Sequence, residues 1–180
     1  FGIISQTGQI KPGEYIKISQ SGFERNKYWV MPDYYKASIT SEEEALKIID
    51  HTLSIAVTEQ LMSDVSLGAF LSGGIDSPLV CHYAAMAGNN QLQTFTIGSD
   101  SAIHDESDYA NKYAQLIGTN ETLKKLDASE MMGAFDDVMN CLHEPMADFS
   151  ILPTFIVSKL ARNKVTVALS GDGGDELFFG

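Results

Sequence analysis

Residues 65–80, VSLGAFLSGGIDSPLV, constrain this chain more than any other stretch. Val65–Leu71 is a short apolar run of the kind that makes a fully buried strand. Ser72-Gly73-Gly74 ends it abruptly, and a second apolar run extends from Leu79 to Met86. Pro78 suits a first helical position, where its missing N–H would have no partner anyway. Ser77 before it reads as an N-cap, which predicts a helix over Pro78–Ala87. Strand, glycine turn and helix in succession point free backbone N–H groups, and the positive end of a helix dipole, at one place. An anion is favoured there, and phosphate is the usual guest.

The loop has no Lys and lacks the GxxxxGK[ST] spacing, which excludes a Walker A loop. GxGxxG is also absent, so the dinucleotide fingerprint fails. A carboxylate, Asp76, stands inside the loop instead. Beside phosphate it is repulsive unless a cation lies between, and Mg²⁺ is the hard cation suited to that place. A buried glycine turn with a capping Asp would account for an isolated SGG. The complete SGGIDS, between an apolar strand and a helix, favours phosphate binding. SGGIDS resembles the PP-loop of the ATP pyrophosphatases, which split ATP between its α- and β-phosphates.

A length of 180 residues fits one domain, or one domain plus part of another. The net charge of −12 argues against nucleic acid or an anionic membrane as the main partner. It does not argue against ATP, which arrives with Mg²⁺. Cys81 and Cys141 give no disulfide framework and no CxxC, in keeping with a reducing cytoplasm. The apolar runs are too short to span a bilayer. The chain opens on Phe1, which leaves a removed targeting segment open.

Residues 1–36 differ from the rest. Lys11-Pro12-Gly13 signals a turn, Glu14–Ser19 alternates as a strand, Ser21-Gly22 signals a second turn, and Lys27–Met31 is the expected partner strand. This is a β-hairpin too short to stand alone, followed by a linker over Tyr34–Ile39. Ser41-x-x-Glu44 is a capping box that predicts an amphipathic helix over Ser41–Met62, with Leu46, Ile49, Leu53, Ala56, Val57 and Leu61 on the sheet-covering face. Further on, Gln93–Ile97 reads as a strand and Gly98–His104 as a loop. A helix is expected from Asp105-Glu106 to Ile117, a strand over Glu121–Leu126 and a single helix over Ala128–Leu142. Ser150, with Pro153 in the first turn, should open another helix. His104 and His143 have no second ligand at metal spacing and read as structural, as does His51 beside the apolar stripe of its helix, and Cys81 reads as a small buried apolar residue.

Val165–Leu169 is a short β-branched strand running into Ser170-Gly171-Asp172-Gly173-Gly174-Asp175-Glu176 and a helix start. Alternating strands and helices predict an α/β fold: a Rossmann-like parallel sheet with helices on both faces, preceded by the hairpin. Ligands of such sheets sit beyond the carboxyl ends of the strands, where the strand order reverses. If the first and last strands are neighbours, Asp76 and Asp175 can face one Mg²⁺–phosphate from two sides. An acidic surface turn, or a weak calcium loop, is the plainer account of GDGGDE taken alone.

SGGIDS followed by LSGDGGDELF is similar to the synthetase domain of the glutamine-dependent asparagine synthetases. KPGEYIKI, YW, TFTIG, DESDYA and EPMADFSILPT agree with it. The resemblance implies an adenine-nucleotide α-hydrolase-like fold over residues 37–180, with residues 1–36 as the tail of a glutaminase domain. It implies ATP bound with Mg²⁺, activation of the aspartate side chain as an adenylate, release of pyrophosphate, and amidation by ammonia from glutamine. By resemblance, Leu71, Ile97, Ser170 and Gly171 contact the adenosine part, while Ser72, Gly73, Gly74, Asp76 and Ser77 form the pyrophosphate loop. Asp76 and Asp175 bind the metal; Asp172 and Glu176 stand near the adenylate. A homodimer is the assembly compatible with that family. There are departures from the pattern. The family's glutaminase domain starts with a catalytic Cys, whereas this chain starts with Phe1 and its residues 1–36 resemble only that domain's tail; the chain ends before the family's synthetase lysine, LFFG replaces LFGGY, Pro78 stands where a small or polar residue is usual, and Asn120-Glu121 stand where a His is frequent. The expectation is that residues 1–180 alone neither hydrolyse glutamine nor complete synthesis. Relatives that act on other carboxylates or close β-lactam rings, and a non-catalytic nucleotide-binding module, are the alternatives.

Overall fold

The computed structural model describes residues 4–32, 39–88, 91–100, 105–143 and 146–178. The chain divides into two compact units, Phe1–Ala45 and Leu46–Gly180.

In the first unit β1 (Glu14–Ser19) pairs antiparallel with β2 (Gly22–Lys27), with Ser19 opposite Gly22 and Glu14 opposite Lys27. The second strand therefore begins at the turn itself and not at Lys27, because a two-residue loop fixes the register of a hairpin. Residues 28 and 29 fold back on the turn before β1: the N–H groups of Tyr28 and Trp29 donate to the Gly13 carbonyl at 2.9 and 3.3 Å. Gly13 has φ +73°, and a Cβ there would press on the Trp29 carbonyl, so the turn demands glycine. The linker expected over Tyr34–Ile39 lies largely outside the described residues.

Helix α1 (Glu42–Gln60) starts as the capping box predicts, with the Glu44 N–H on Ser41 Oγ at 3.5 Å and glutamates in its first turn. Only its C-terminal half meets the core: Val57 is buried, with Leu53 and Leu61 packed beside it, while Leu46 and Ile49 stay exposed.

In the second unit four strands form a parallel sheet in the order β5-β4-β3-β6. They are β3 (Leu67–Phe70), β4 (Gln93–Ser99), β5 (Asn120–Leu126) and β6 (Val167–Leu169). The intervening helices are α2 (Asp76–Ala87), α3 (Ser107–Ile117), α4 (Ala128–Gly133), α5 (Phe135–Cys141) and α6 (Ile151–Arg162), and α7 (Gly174–Phe178) follows β6. Alternate residues of β3 serve opposite layers, as the period-2 geometry of a strand requires. Ala69 and the adjoining Leu71 join Val57, Cys81, Ala84, Ala110 and Ala114 beneath α1, α2 and α3. Phe70 packs with Phe95, Val157, Leu160, Ala161 and Val165 on the α6 side. Helices thus cover both faces. Burial pushes the Cys81 thiol up to about 12, which leaves it a protonated core residue.

The expected single helix over 128–142 is two. Asp127 and Glu130 form a capping box at the start of α4, and the chain breaks at Ala134, whose N–H turns back to the Met131 carbonyl at 3.2 Å. Gly133 sits at the break, where glycine costs a helix about 1 kcal/mol.

Candidate functional site

The sheet runs from β3 outward to β4 and β5, whereas β6 lies on the other side of β3. The order therefore reverses between β3 and β6, and the two glycine-rich loops follow those two strands. Both open onto one cavity of about 1030 Å³.

In the first loop the Ser77 hydroxyl accepts the Ser72 N–H at 2.8 Å and lies 2.8 Å from Ser72 Oγ, which accepts the Gly74 N–H at 3.2 Å. Ser77 is therefore not the N-cap. The helix begins two residues earlier than expected, at Asp76, behind Ile75, which has no capping side chain. The serine hydroxyl is occupied in closing the loop. Among the described residues the N–H groups of Gly73, Ile75, Asp76 and Ser77 keep no partner, and Pro78 has none to offer. Free amides and the N-terminus of the twelve-residue helix α2 thus face the cavity, as an anion site requires.

The second loop turns on Gly173, at φ +95°, which frees the chain to reverse before α7. Ser170 Oγ donates to Asp172 Oδ2 at 3.1 Å, and the Gly174 N–H donates to the Gly171 carbonyl at 3.2 Å. The two loops interlock. A Cβ at Gly171 would lie 2.7 Å from the Ser77 nitrogen and 3.0 Å from the Asp76 carbonyl carbon. A Cβ at Gly174 would strike the Asp76 carboxyl group, 2.8 Å from Oδ1 and closer to the other atoms. The Asp76 side chain therefore rests on Gly174, next to Asp175.

All the residues singled out in the sequence line this cavity: Leu71, Ser72, Gly73, Gly74, Asp76, Ser77, Ile97, Ser170, Gly171, Asp172, Asp175 and Glu176. Leu71 also serves the core at 3% exposure, so one strand-end residue does both. Sequence reasoning missed Thr96, Glu106, Phe178, and Pro153, Thr154 and Val157 of α6. Thr96 is buried, with its hydroxyl 3.0 Å from the Leu71 carbonyl and 2.9 Å from Glu121 Oε1. Its signal was the alternation in QTFTI, which puts it on one layer with Thr94. Glu106 belongs to DESDYA, where its local setting marks only the start of a helix.

Five carboxylates line the cavity, those of Asp76, Glu106, Asp172, Asp175 and Glu176, with no Lys, Arg or His among the lining residues. The carboxylates of Asp76, Asp175 and Glu176 make no hydrogen bond or ion pair among the described residues. Among those residues no group of three or more His, Cys, Asp or Glu is placed to hold a metal. This donor set, carboxylates without a full protein cage, suits Mg²⁺. That ion takes one or two carboxylates and completes its shell with phosphate oxygens and water.

The arrangement defines a doubly wound α/β domain with unpartnered backbone amides on the rim at its switch point. A solved NH3-dependent NAD synthetase from Campylobacter jejuni has the same fold, with a TM-score of 0.50 at 14% identity over 73% of this chain and 58% of that one. A family model for asparagine synthase matches residues 49–180, and the chain belongs to that family. It is 37% identical over 156 residues to a Mycobacterium tuberculosis protein named as a candidate glutamine-hydrolysing asparagine synthetase, covering 86% of this chain and 24% of the relative. To the glutamine-hydrolysing asparagine synthetase 1 of Bacillus subtilis it is 32% identical over 176 residues, covering 96% and 27%. The chain thus spans about a quarter of the length of these relatives.

Proposed function

We propose that the chain is the nucleotide-binding core of a glutamine-dependent asparagine synthetase, residues 1–36 being the tail of a glutaminase domain and residues 37–180 part of the synthetase domain. ATP enters the cavity with its triphosphate on the free amides of the Ser72–Ser77 loop. Its adenosine lies by Leu71, Ile97, Ser170 and Gly171. Asp76 and Asp175 hold Mg²⁺, and Asp172 and Glu176 flank the acyl group. The interlocked loops carry this reading: Asp76 lies over Gly174 beside Asp175, among unpaired amides and with no basic side chain to neutralise the acids. An acidic pocket binds a triphosphate only with a cation between them.

The chemistry is two displacements. An oxygen of the aspartate side-chain carboxylate bonds to the α-phosphorus as the bridge to the β-phosphate breaks, and pyrophosphate leaves. Ammonia then bonds to the acyl carbon, AMP leaves with the electron pair of the acyl–oxygen bond, and the nitrogen sheds a proton. Mg²⁺ when bound supplies neutralisation of charge on the phosphate oxygens. The loop residues supply fixed dipoles: the Ser72–Ser77 hydroxyl pair keeps the amides aimed before substrate arrives, so little reorganisation is needed. The reading extends to a cytoplasmic enzyme, in keeping with two free cysteines and with no described helix long and apolar enough to cross a membrane.

Calorimetric titration with ATP tests this, with and without magnesium, on the chain and on Asp76→Asn. Binding should require magnesium and weaken by about 10–100-fold in the variant, the scale of a charged contact. Magnesium-independent binding that ignores the substitution would refute the reading.

A further inference from the structure

We propose that Asp105 and Lys125 form a latch that holds the first turn of α3 against the Ser72–Ser77 loop, making Asp105 a positioning residue for nucleotide binding. This deepens the nucleotide reading above and rests on it for its functional half alone. Asp105 joins three elements at the carboxyl rim of the sheet. Its Oδ1 accepts the N–H of Ser99 at the end of β4 at 3.3 Å and that of Ser107 at the start of α3 at 3.0 Å. Its Oδ2 takes the Lys125 ammonium, near the end of β5, at 2.8 Å. The carboxylate is well shielded, its side chain 13% exposed, and Lys125 is half-covered. Close packing is built around it. A Cβ at Gly98 would lie 2.8 Å from Ser107 Cβ and 3.0 Å from Asp105 Oδ1, so β4 must carry glycine there for the latch to seat.

The residue after Asp105 is where the latch meets the site. Glu106 precedes α3 and lines the cavity. A Cβ on Gly73 would lie 2.7 Å from Glu106 Cβ, 2.8 Å from its carbonyl oxygen and 3.1 Å from Tyr109 Cβ. The glycine loop therefore rests directly on the first turn of α3, and Gly73 carries one of the unpartnered amides. α3 has no side-chain cap from Glu106, so the Asp105 carboxylate is what binds its first N–H. A shift of this turn moves the surface on which Gly73 sits. Charge-assisted bonds of this kind are roughly twice as strong as neutral ones, and a bond shared by three elements restrains all of them.

The test is hydrogen–deuterium exchange on the intact chain without nucleotide, followed by Mg-ATP titration. Asp105→Ala should speed exchange of the hydrogen-bonded loop amides, those of Ser72 and Gly74, and of Ser107, Tyr109 and Ala110 about tenfold while Ala69, Thr94 and Phe95 stay protected, because opening of this kind is local. The same variant should weaken Mg-ATP about tenfold, since misaimed amides lose charge-assisted contacts. Lys125→Met, which keeps both backbone bonds to Asp105, should show the same pattern at smaller size and keeps the proposal testable should Asp105→Ala not fold. Unchanged exchange at Ser72 and Gly74 in every folded variant would overturn the latch. Faster exchange with unchanged Mg-ATP affinity would overturn its positioning role. Failure of the unsubstituted chain to bind Mg-ATP would overturn the nucleotide reading, and with it that role, while the exchange result alone decides the latch.

Discussion

Gly171 and Gly174 offer a controlled perturbation, because an added methyl meets backbone at one and the end of a side chain at the other. At Gly171 the new Cβ would lie 2.7 Å from the Ser77 nitrogen and 3.0 Å from the Asp76 carbonyl carbon. Neither can swing away, so the two loops must part. Overpacking of this sort costs about 1–3 kcal/mol, or about 2–4 °C of Tm per kcal/mol in a chain of this size. At Gly174 the Cβ strikes only the Asp76 carboxyl group, which can rotate. Gly174 is also the first residue of α7, where alanine recovers up to about 1 kcal/mol of helix propensity. Gly174→Ala should therefore leave stability level or slightly raised, while the displaced carboxylate weakens Mg-ATP by about tenfold or more, at 1.4 kcal/mol per decade. Gly171→Ala should lose both stability and binding. Urea unfolding and calorimetry with Mg-ATP read the two effects separately. A Gly174→Ala chain that binds Mg-ATP like the parent would show that the position of the Asp76 carboxylate is immaterial and would refute the reasoning.

Two further outcomes follow from the geometry. Ser77→Ala removes the acceptor of the Ser72 N–H and the partner of Ser72 Oγ, so it should cost about 1–2 kcal/mol by urea unfolding and weaken Mg-ATP with it. The Lys125 ammonium above all, with the N–H groups of Ser107 at the start of α3 and Ser99 at the end of β4, holds the Asp105 carboxyl well below the usual carboxylate range. A depressed folded pKa gives stability that is full above the unfolded value of about 3.9 and is lost as pH falls through the folded one. The stability of Asp105→Asn should therefore fall less steeply below about pH 4 than that of the parent, with no new slope near neutrality. Identical acid limbs in thermal melts would contradict this.

Much of the site was legible because each glycine loop carries its structural context in contiguous residues. SGGIDS stands between an apolar strand and a helix, GDGGDE after a β-branched strand, and the condition for the two loops to meet, adjacency of those strands, is met as β3 beside β6. What eluded the sequence depends on distant partners. Thr96 and Glu106 reach the cavity because β4 pairs with β3 and α3 packs under Gly73, relations that no local spacing encodes. Ser77 looks like a cap locally, and only the return of Ser72 shows its hydroxyl engaged. The second strand of the hairpin is not legible in the sequence because Glu24, Arg25, Asn26 and Lys27 are polar, while a two-residue turn dictates register whatever the polarity. The break at Ala134 hinged on a single Gly133 within an otherwise helical run.

The most direct measurement is a crystal structure of the chain with a non-hydrolysable ATP analogue and Mn²⁺ in place of Mg²⁺, located by its anomalous scattering. An anomalous peak is expected about 2.2 Å from oxygens of both Asp76 and Asp175, with the phosphates against the Gly73–Ser77 amides. A nucleotide bound elsewhere, or an ion that touches neither carboxylate, would contradict it.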